Sequence, residues 1–346
     1  MIIIFMSVSR KPWGTTPDGE QVSLFKLSDE IEVTISDYGG TITSIKAPDR
    51  SGVYGEVVLG FDALDGYLGS PFYLGATVGR YANRIGGGTI HVDDKVYQLS
   101  LNDGENHLHG GVKGFDKKVW APEIVDDSSL RLSYKSLDGE EGYPGNLVAS
   151  VTFSVIGDRL EVDYGASCDK ATVVNLTNHT YFNLGISETI LDHVLWIDAD
   201  SYTPVDEGLI PVGPHESVEN TPFNFLTPTR IGERINDDHP QLIRANGYDQ
   251  NYVLNQVQNP QIMVTDPESG RVLEISTTMH GVQFYTGNFL DGRDVGKKGV
   301  MGFRSGLCLE TQFFPDSPNK PMYPSAVLHP GEKYIEKTVY RFTVES

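Results

Sequence analysis

The sequence predicts an all-β protein, and three observations carry that expectation. Short runs alternating apolar and polar residues with period two recur along the chain, glycine (37) and proline (19) are plentiful enough to turn it many times, and helical periodicity is scarce. The 346 residues suffice for a large core; the length fits two domains, yet all-β proteins often run this long as one unit.

The opening reads as a β-meander, with strands at 22–27, 32–36 and 41–46 and a Tyr38-Gly-Gly40 turn before the third. The apolar start, Met1-Ile-Ile-Ile-Phe-Met6, has no basic lead and is too short for a secretory core, so residues 1–9 are expected as a disordered N-terminal segment. In Gly79-Arg-Tyr-Ala-Asn-Arg-Ile85, two arginines and an amide precede a triple glycine; such a loop could fork hydrogen bonds to ligand oxygens, or be a surface loop with an ion-paired arginine. No phosphate-binding or dinucleotide glycine spacing is present. In 106–111, His107 and His109 fall on one face of an expected strand, but no further ligand stands at recognisable metal spacing, so no metal is expected. Strands follow at 130–134, 146–155 and 159–164.

The stretch Asn175-Leu-Thr-Asn-His-Thr-Tyr-Phe-Asn-Leu184 reads as a strand with Asn175, Thr177, His179, Tyr181 and Asn183 on one face. Such a row is costly to bury unpaired and suits a polyhydroxylated ligand; a solvated sheet face gives the same pattern. Residues 198–228 read as an extended connection, and 228–235 as a short helix capped by Thr227 with Pro228 at its first position. Asp249 stands ahead of a strand, Gln283 lies in one among aromatic residues, and Glu310 sits in the apolar strand around Cys308, Gln312 and Phe314. A carboxylate there needs partners, and burial would raise its pKa and strengthen it as a proton acceptor.

With 27 Lys plus Arg against 47 Asp plus Glu, a net charge of −20 opposes nucleic acid, anionic membranes and strongly anionic substrates. No run could span a bilayer. The two cysteines, Cys168 and Cys308, lie in strand-like contexts and suggest buried thiols in a reducing compartment, with a single bridge as the alternative.

Together, Gly79–Ile85, Leu108-His-Gly-Gly111, 175–184, Gly247-Tyr-Asp249 and Glu310-Thr-Gln-Phe-Phe-Pro-Asp316 resemble the aldose 1-epimerase family, the galactose mutarotases. The five stretches occur in order across nearly the whole chain. The resemblance implies one large antiparallel β-sandwich over 1–346 with an open sugar cleft, and interconversion of α and β anomers of free hexoses without cofactor or metal. It implies His179 as general acid and Glu310 as general base, with Asn83, Arg84, His109, Asp249 and Gln283 positioning the sugar. Gln250 departs from the histidine expected after Asp249, which bears on substrate preference. Tyr181 or Phe314 could pack on the apolar sugar face. Competing expectations are a glycosidase using Asp249 and Glu310 about 5–9.5 Å apart, a hexose-6-phosphate 1-epimerase using Arg80 and Arg84, and a non-catalytic sugar-binding protein. A cytoplasmic monomer is the default expectation.

Overall fold

The computed structural model describes residues 7–345. Alternating strands do what their pattern predicts: each buries its apolar side, and the antiparallel ladders assemble into two facing sheets. The larger runs in the order Ala121–Asp126, Ser129–Ser136, Leu147–Ile156, Arg159–Cys168, Tyr334–Val344, Arg271–Thr277, Ile262–Thr265, Val194–Ile197 and Thr229–Arg230. The second has the order Tyr181–Phe182, Leu307–Gln312, Gly281–Tyr285, Asp249–Val253, Ser201–Thr203 and Glu216–Ser217. The N-terminal meander, Ser7–Thr15 through Tyr54–Glu56, makes a five-stranded sheet of its own. One contiguous core joins all three, with Phe25 and Ile45 from the meander, Val162, Leu273 and Tyr340 from the larger sheet, and Val282, Phe284 and Leu309 from the second.

The strand Leu307–Gln312 is buried on both faces, which the pleat divides between two tasks. Leu307 and Leu309 enter the core and Thr311 meets Thr338 of the opposing sheet, oxygen to oxygen at 2.7 Å. Cys308, Glu310 and Gln312 are left on the other side.

Several sequence expectations need correction. Residues 7–9 of the expected disordered segment belong to the first strand, while 1–6 lie outside the described residues. The helix expected at 228–235 is instead the strand Thr229–Arg230, paired with Val194–Leu195, followed by the single 3-10 turn Ile231–Glu233; sheet pairing outweighs the isolated proline signal. The described α-helices are Leu64–Gly69 and Pro240–Ala245, the latter capped by His239 Nδ1 accepting from the Gln241 amide at 3.3 Å. Cys168 and Cys308 are free thiols. No described helix is long and apolar enough to cross a membrane.

Candidate active site

The polar stretch 175–184 is neither one strand nor a solvated face. It is two short pieces, Thr177–Asn178 paired with Thr77–Val78 and Tyr181–Phe182 paired with Leu307–Cys308, and every residue is buried. Between them the His179 amide donates to the Ala76 carbonyl and the His179 carbonyl accepts from the Gly75 amide, both at 2.9 Å. This break turns His179 into a cavity. Asn175 and Asn183 spend their amides on backbone instead: Asn175 accepts from the Phe313 amide at 2.9 Å, and Asn183 donates to the Ser305 carbonyl at 2.9 Å.

Adjacent strands fix the opposite wall. Gln283 stands directly across from Glu310, Tyr285 from Cys308, and Asp249 from Tyr285. The pair Arg84–Ile85 and His107–Leu108 sets Arg84 opposite Leu108. Asn83 (φ 68) and His109 (φ 51) adopt left-handed turns at the ends of that pair. Gly110 lets this loop approach: at its φ of 87 an added Cβ would lie 1.8 Å from the Gly79 carbonyl oxygen.

The result is a cavity of about 290 Å³ lined by Asn83, Arg84, His109, His179, Asp249 and Glu310, near the lower end of the roughly 300–1,000 Å³ typical of small-molecule sites. Gln283, expected beside them, sits behind the wall and donates to Asp249 Oδ1 at 2.7 Å, so it orients the carboxylate. Arg84 Nε donates to Asp103 at 2.8 Å, with Nη1 3.9 Å from Asp249. His179 Nε2 is 3.7 Å from Glu310 Oε1, and Glu310 Oε2 has no protein partner.

Burial dominates the electrostatics. It pushes His179 down to about 4. Burial, reinforced by Asp249 and opposed by Arg84, holds Glu310 well above the usual carboxylate range. Asp249 is likewise raised by burial, against the pull of Arg84 and Gln283. Burial thus favours the uncharged pair, His179 neutral with the proton on Glu310. His109 is lowered by burial first and then by His179 and Arg84 nearby, and its Nδ1 accepts the Asn83 amide at 3.2 Å, so the neutral ring carries its hydrogen on Nε2. His109, His179 and Glu310 bring ligand-type atoms within 4.8 Å of one another. That Asn83 bond weighs against a metal, because His109 would have to surrender its Nε2 hydrogen to ligate.

Other expected residues lie elsewhere. Arg80, 1% exposed, donates to the Pro144, Gly145 and Leu137 carbonyls and to Ser136 and Thr172; it bolts loops together and does not line the cavity. His107 is held by Tyr143 Oη and the Ser100 carbonyl; the turn at His109 ends the strand that would have put the two histidines on one face. Phe314 packs on His215 and Tyr323, because the strand ends at Gln312 and the alternation with it. Tyr181 does line the cavity, joined by Tyr73, Asp103, Tyr285 and Phe289, which sequence reasoning missed. Tyr285 shares the face of Gln283 by period two and could have been found; the others stand in turns and loops with no such signal. A larger concavity of about 920 Å³ against the N-terminal meander contains none of the candidate residues.

The family model for aldose 1-epimerase matches residues 23–341. The chain belongs to the aldose 1-epimerase family. Human galactose mutarotase is 47% identical, with 98% of this chain and 99% of that one covered, and the Escherichia coli aldose 1-epimerase is 37% identical over 95% and 97%. Among solved structures, a GalM/aldose epimerase homologue from C. elegans superposes with a TM-score of 0.87 at 28% identity, covering 98% of this chain and all of that one. The chain is therefore an isomerase that interconverts the anomers of aldoses.

Proposed function

We propose that the protein interconverts the α and β anomers of free hexoses such as galactose and glucose, with His179 and Glu310 transferring the protons and Asn83, Arg84, His109 and Asp249 holding the sugar. The observation that carries this reading is the buried imidazole–carboxyl pair, 3.7 Å apart at the wall of a hexose-sized cavity. In ring opening, the C1–O5 bond breaks as C1=O forms. The C1 hydroxyl gives its proton to the Glu310 carboxylate and the ring oxygen takes one from the His179 imidazolium. Rotation about C1–C2 presents the other carbonyl face, and closure runs both transfers backwards.

The pair then carries one proton throughout. It is imidazolium and carboxylate before opening, and imidazole and carboxylic acid beside the open chain. The burial that makes the charged form costly makes its discharge during ring opening favourable, so the cavity offsets part of the cost of the open-chain sugar. Each proton transfer contributes roughly 10²- to 10⁴-fold. Among the described residues, Arg84 is the only lysine or arginine lining the cavity, and two carboxylates already engage it, which counts against a phosphosugar. A cytoplasmic monomer with reduced thiols belongs to the same reading; sedimentation velocity tests the oligomeric part.

Polarimetry of freshly dissolved α-D-galactose tests the proposal. The protein should speed the approach to equilibrium, and Glu310→Gln and His179→Asn should each lose most of that effect with the fold intact by circular dichroism. Undiminished turnover in either folded variant refutes the assigned pair.

A further inference from the structure

His179 has two ring nitrogens, and one strand addresses both. Glu310 faces Nε2, and Cys308, two residues earlier on the same pleat face, places its sulfur 3.5 Å from Nδ1. Cys308 is fully buried and lies between the strands of Tyr181 and Tyr285, its partners across the sheet. The imidazole has little freedom to turn: the Tyr73 ring lies near-parallel to it at 5.9 Å and the Tyr181 ring at 5.1 Å.

Reversible proton transfer makes a demand on that geometry. After His179 donates from Nε2, the neutral ring must keep its remaining hydrogen on Nδ1, or Nε2 would have no lone pair to take the proton back on closure. We propose, building on the acid/base reading above, that Cys308 is the positioning residue for His179: its sulfur accepts the Nδ1–H and holds the neutral ring with its lone pair on Nε2. Sulfur suits the task because it is a weak acceptor. A carboxylate at the same place would stabilise the imidazolium and make His179 a poorer acid, as the aspartate of a serine-protease triad stabilises its imidazolium. Burial, with Glu310 and Asp249 nearby, pushes the Cys308 thiol up and keeps it neutral, so it adds no charge beside the ring.

The opposite polarity, a thiol donating to Nδ1, would put the hydrogen on Nε2, and nitrogen-15 NMR separates the two. In the wild-type protein with ¹⁵N-labelled histidine, the neutral His179 ring should show a protonated Nδ1 and a bare Nε2. Cys308→Ala should blur that preference and lower kcat about tenfold, the scale of one net hydrogen bond, with KM within about twofold. Cys308→Ser, which keeps an acceptor, should restore both. An Nε2–H tautomer in the wild type overturns the proposal, as does a Cys308→Ala variant with unchanged kcat. If Cys308→Ala fails to fold, the wild-type spectrum alone decides. Because that spectrum needs no turnover, a protein with the Nδ1–H tautomer but no mutarotation would sink the functional reading and leave the Cys308–His179 arrangement standing.

Discussion

Arg80 and Arg84 share one sequence motif, and replacing Arg80 by methionine tests whether they share a job. The Arg80 guanidinium donates to the Pro144 carbonyl at 2.9 Å, Gly145 at 3.0 Å, Thr172 Oγ1 at 3.2 Å and Leu137 at 3.3 Å, and to the Ser136 hydroxyl. Ser136 keeps a partner in Glu140 at 3.0 Å and the Leu137 carbonyl keeps the Glu140 amide at 3.0 Å, so methionine strands three buried acceptors. At about 1 kcal/mol each the loss is about 3 kcal/mol. Part of it returns, because Arg80 has no carboxylate within ion-pairing distance among the described residues and its burial opposes the charged form, leaving roughly 2 kcal/mol. With an unfolding entropy of about 2.1 cal/mol/K per residue, that corresponds to a fall of about 3 °C in Tm. Calorimetry should show this fall, while polarimetry at 25 °C on the folded variant gives kcat and KM within about twofold of wild type. An unchanged Tm with lost activity would refute the reasoning, because it would place Arg80 at the substrate.

Arg84→Met should do the reverse for binding: it removes the cation held by Asp103 and Asp249, and KM for galactose should rise about tenfold or more, the scale of a charge-assisted hydrogen bond. Gln283→Leu deprives Asp249 Oδ1 of its 2.7 Å donor without touching the cavity wall; the expected signature is a KM several-fold higher, and an unchanged KM would mean that Asp249 holds its orientation alone. Glu310→Gln should gain stability as it loses activity. The folded protein holds the Glu310 proton more tightly than the unfolded chain, whose glutamates ionise near 4.5; the stabilisation from that proton is complete below this value and fades as pH rises through the higher folded one. The Tm advantage of Glu310→Gln over wild type should therefore grow as pH rises above 4.5, and a pH-independent offset would show that burial does not hold the proton on Glu310.

What was legible in the sequence divides along the pleat. The strand Leu307–Gln312 could be read in full, because period two assigns Leu307, Leu309 and Thr311 to one side and Cys308, Glu310 and Gln312 to the other, and the structure keeps that division. The same rule failed for 175–184, where one strand was expected and the chain instead breaks at His179 to bond Ala76 and Gly75. It failed again at Phe314, past the end of its strand, and at His109, where a left-handed turn parts it from His107. Alternation reports a face only while the ladder continues.

The failures share a cause that also explains why the motif stretches span the whole chain. Most of their polar residues act on one another. Tyr81 Oη donates to the Phe314 carbonyl at 2.8 Å, Asn175 pairs with Phe313, and the Asp316 amide donates to the Arg84 carbonyl at 2.8 Å. A cavity walled by loops and short strand ends has few ladder bonds to hold it, so side chain–backbone bonds from neighbouring motifs must supply the rigidity that places His179 against Glu310. A motif residue seen in sequence is thus as apt to fasten the wall as to face the sugar. Arg80, Asn175 and Asn183 fasten; Arg84, His179 and Glu310 face inward. What separates the two groups is whether the backbone around them leaves a buried acceptor in reach, and that depends on segments as far away as Pro144 and Phe313, beyond any local pattern.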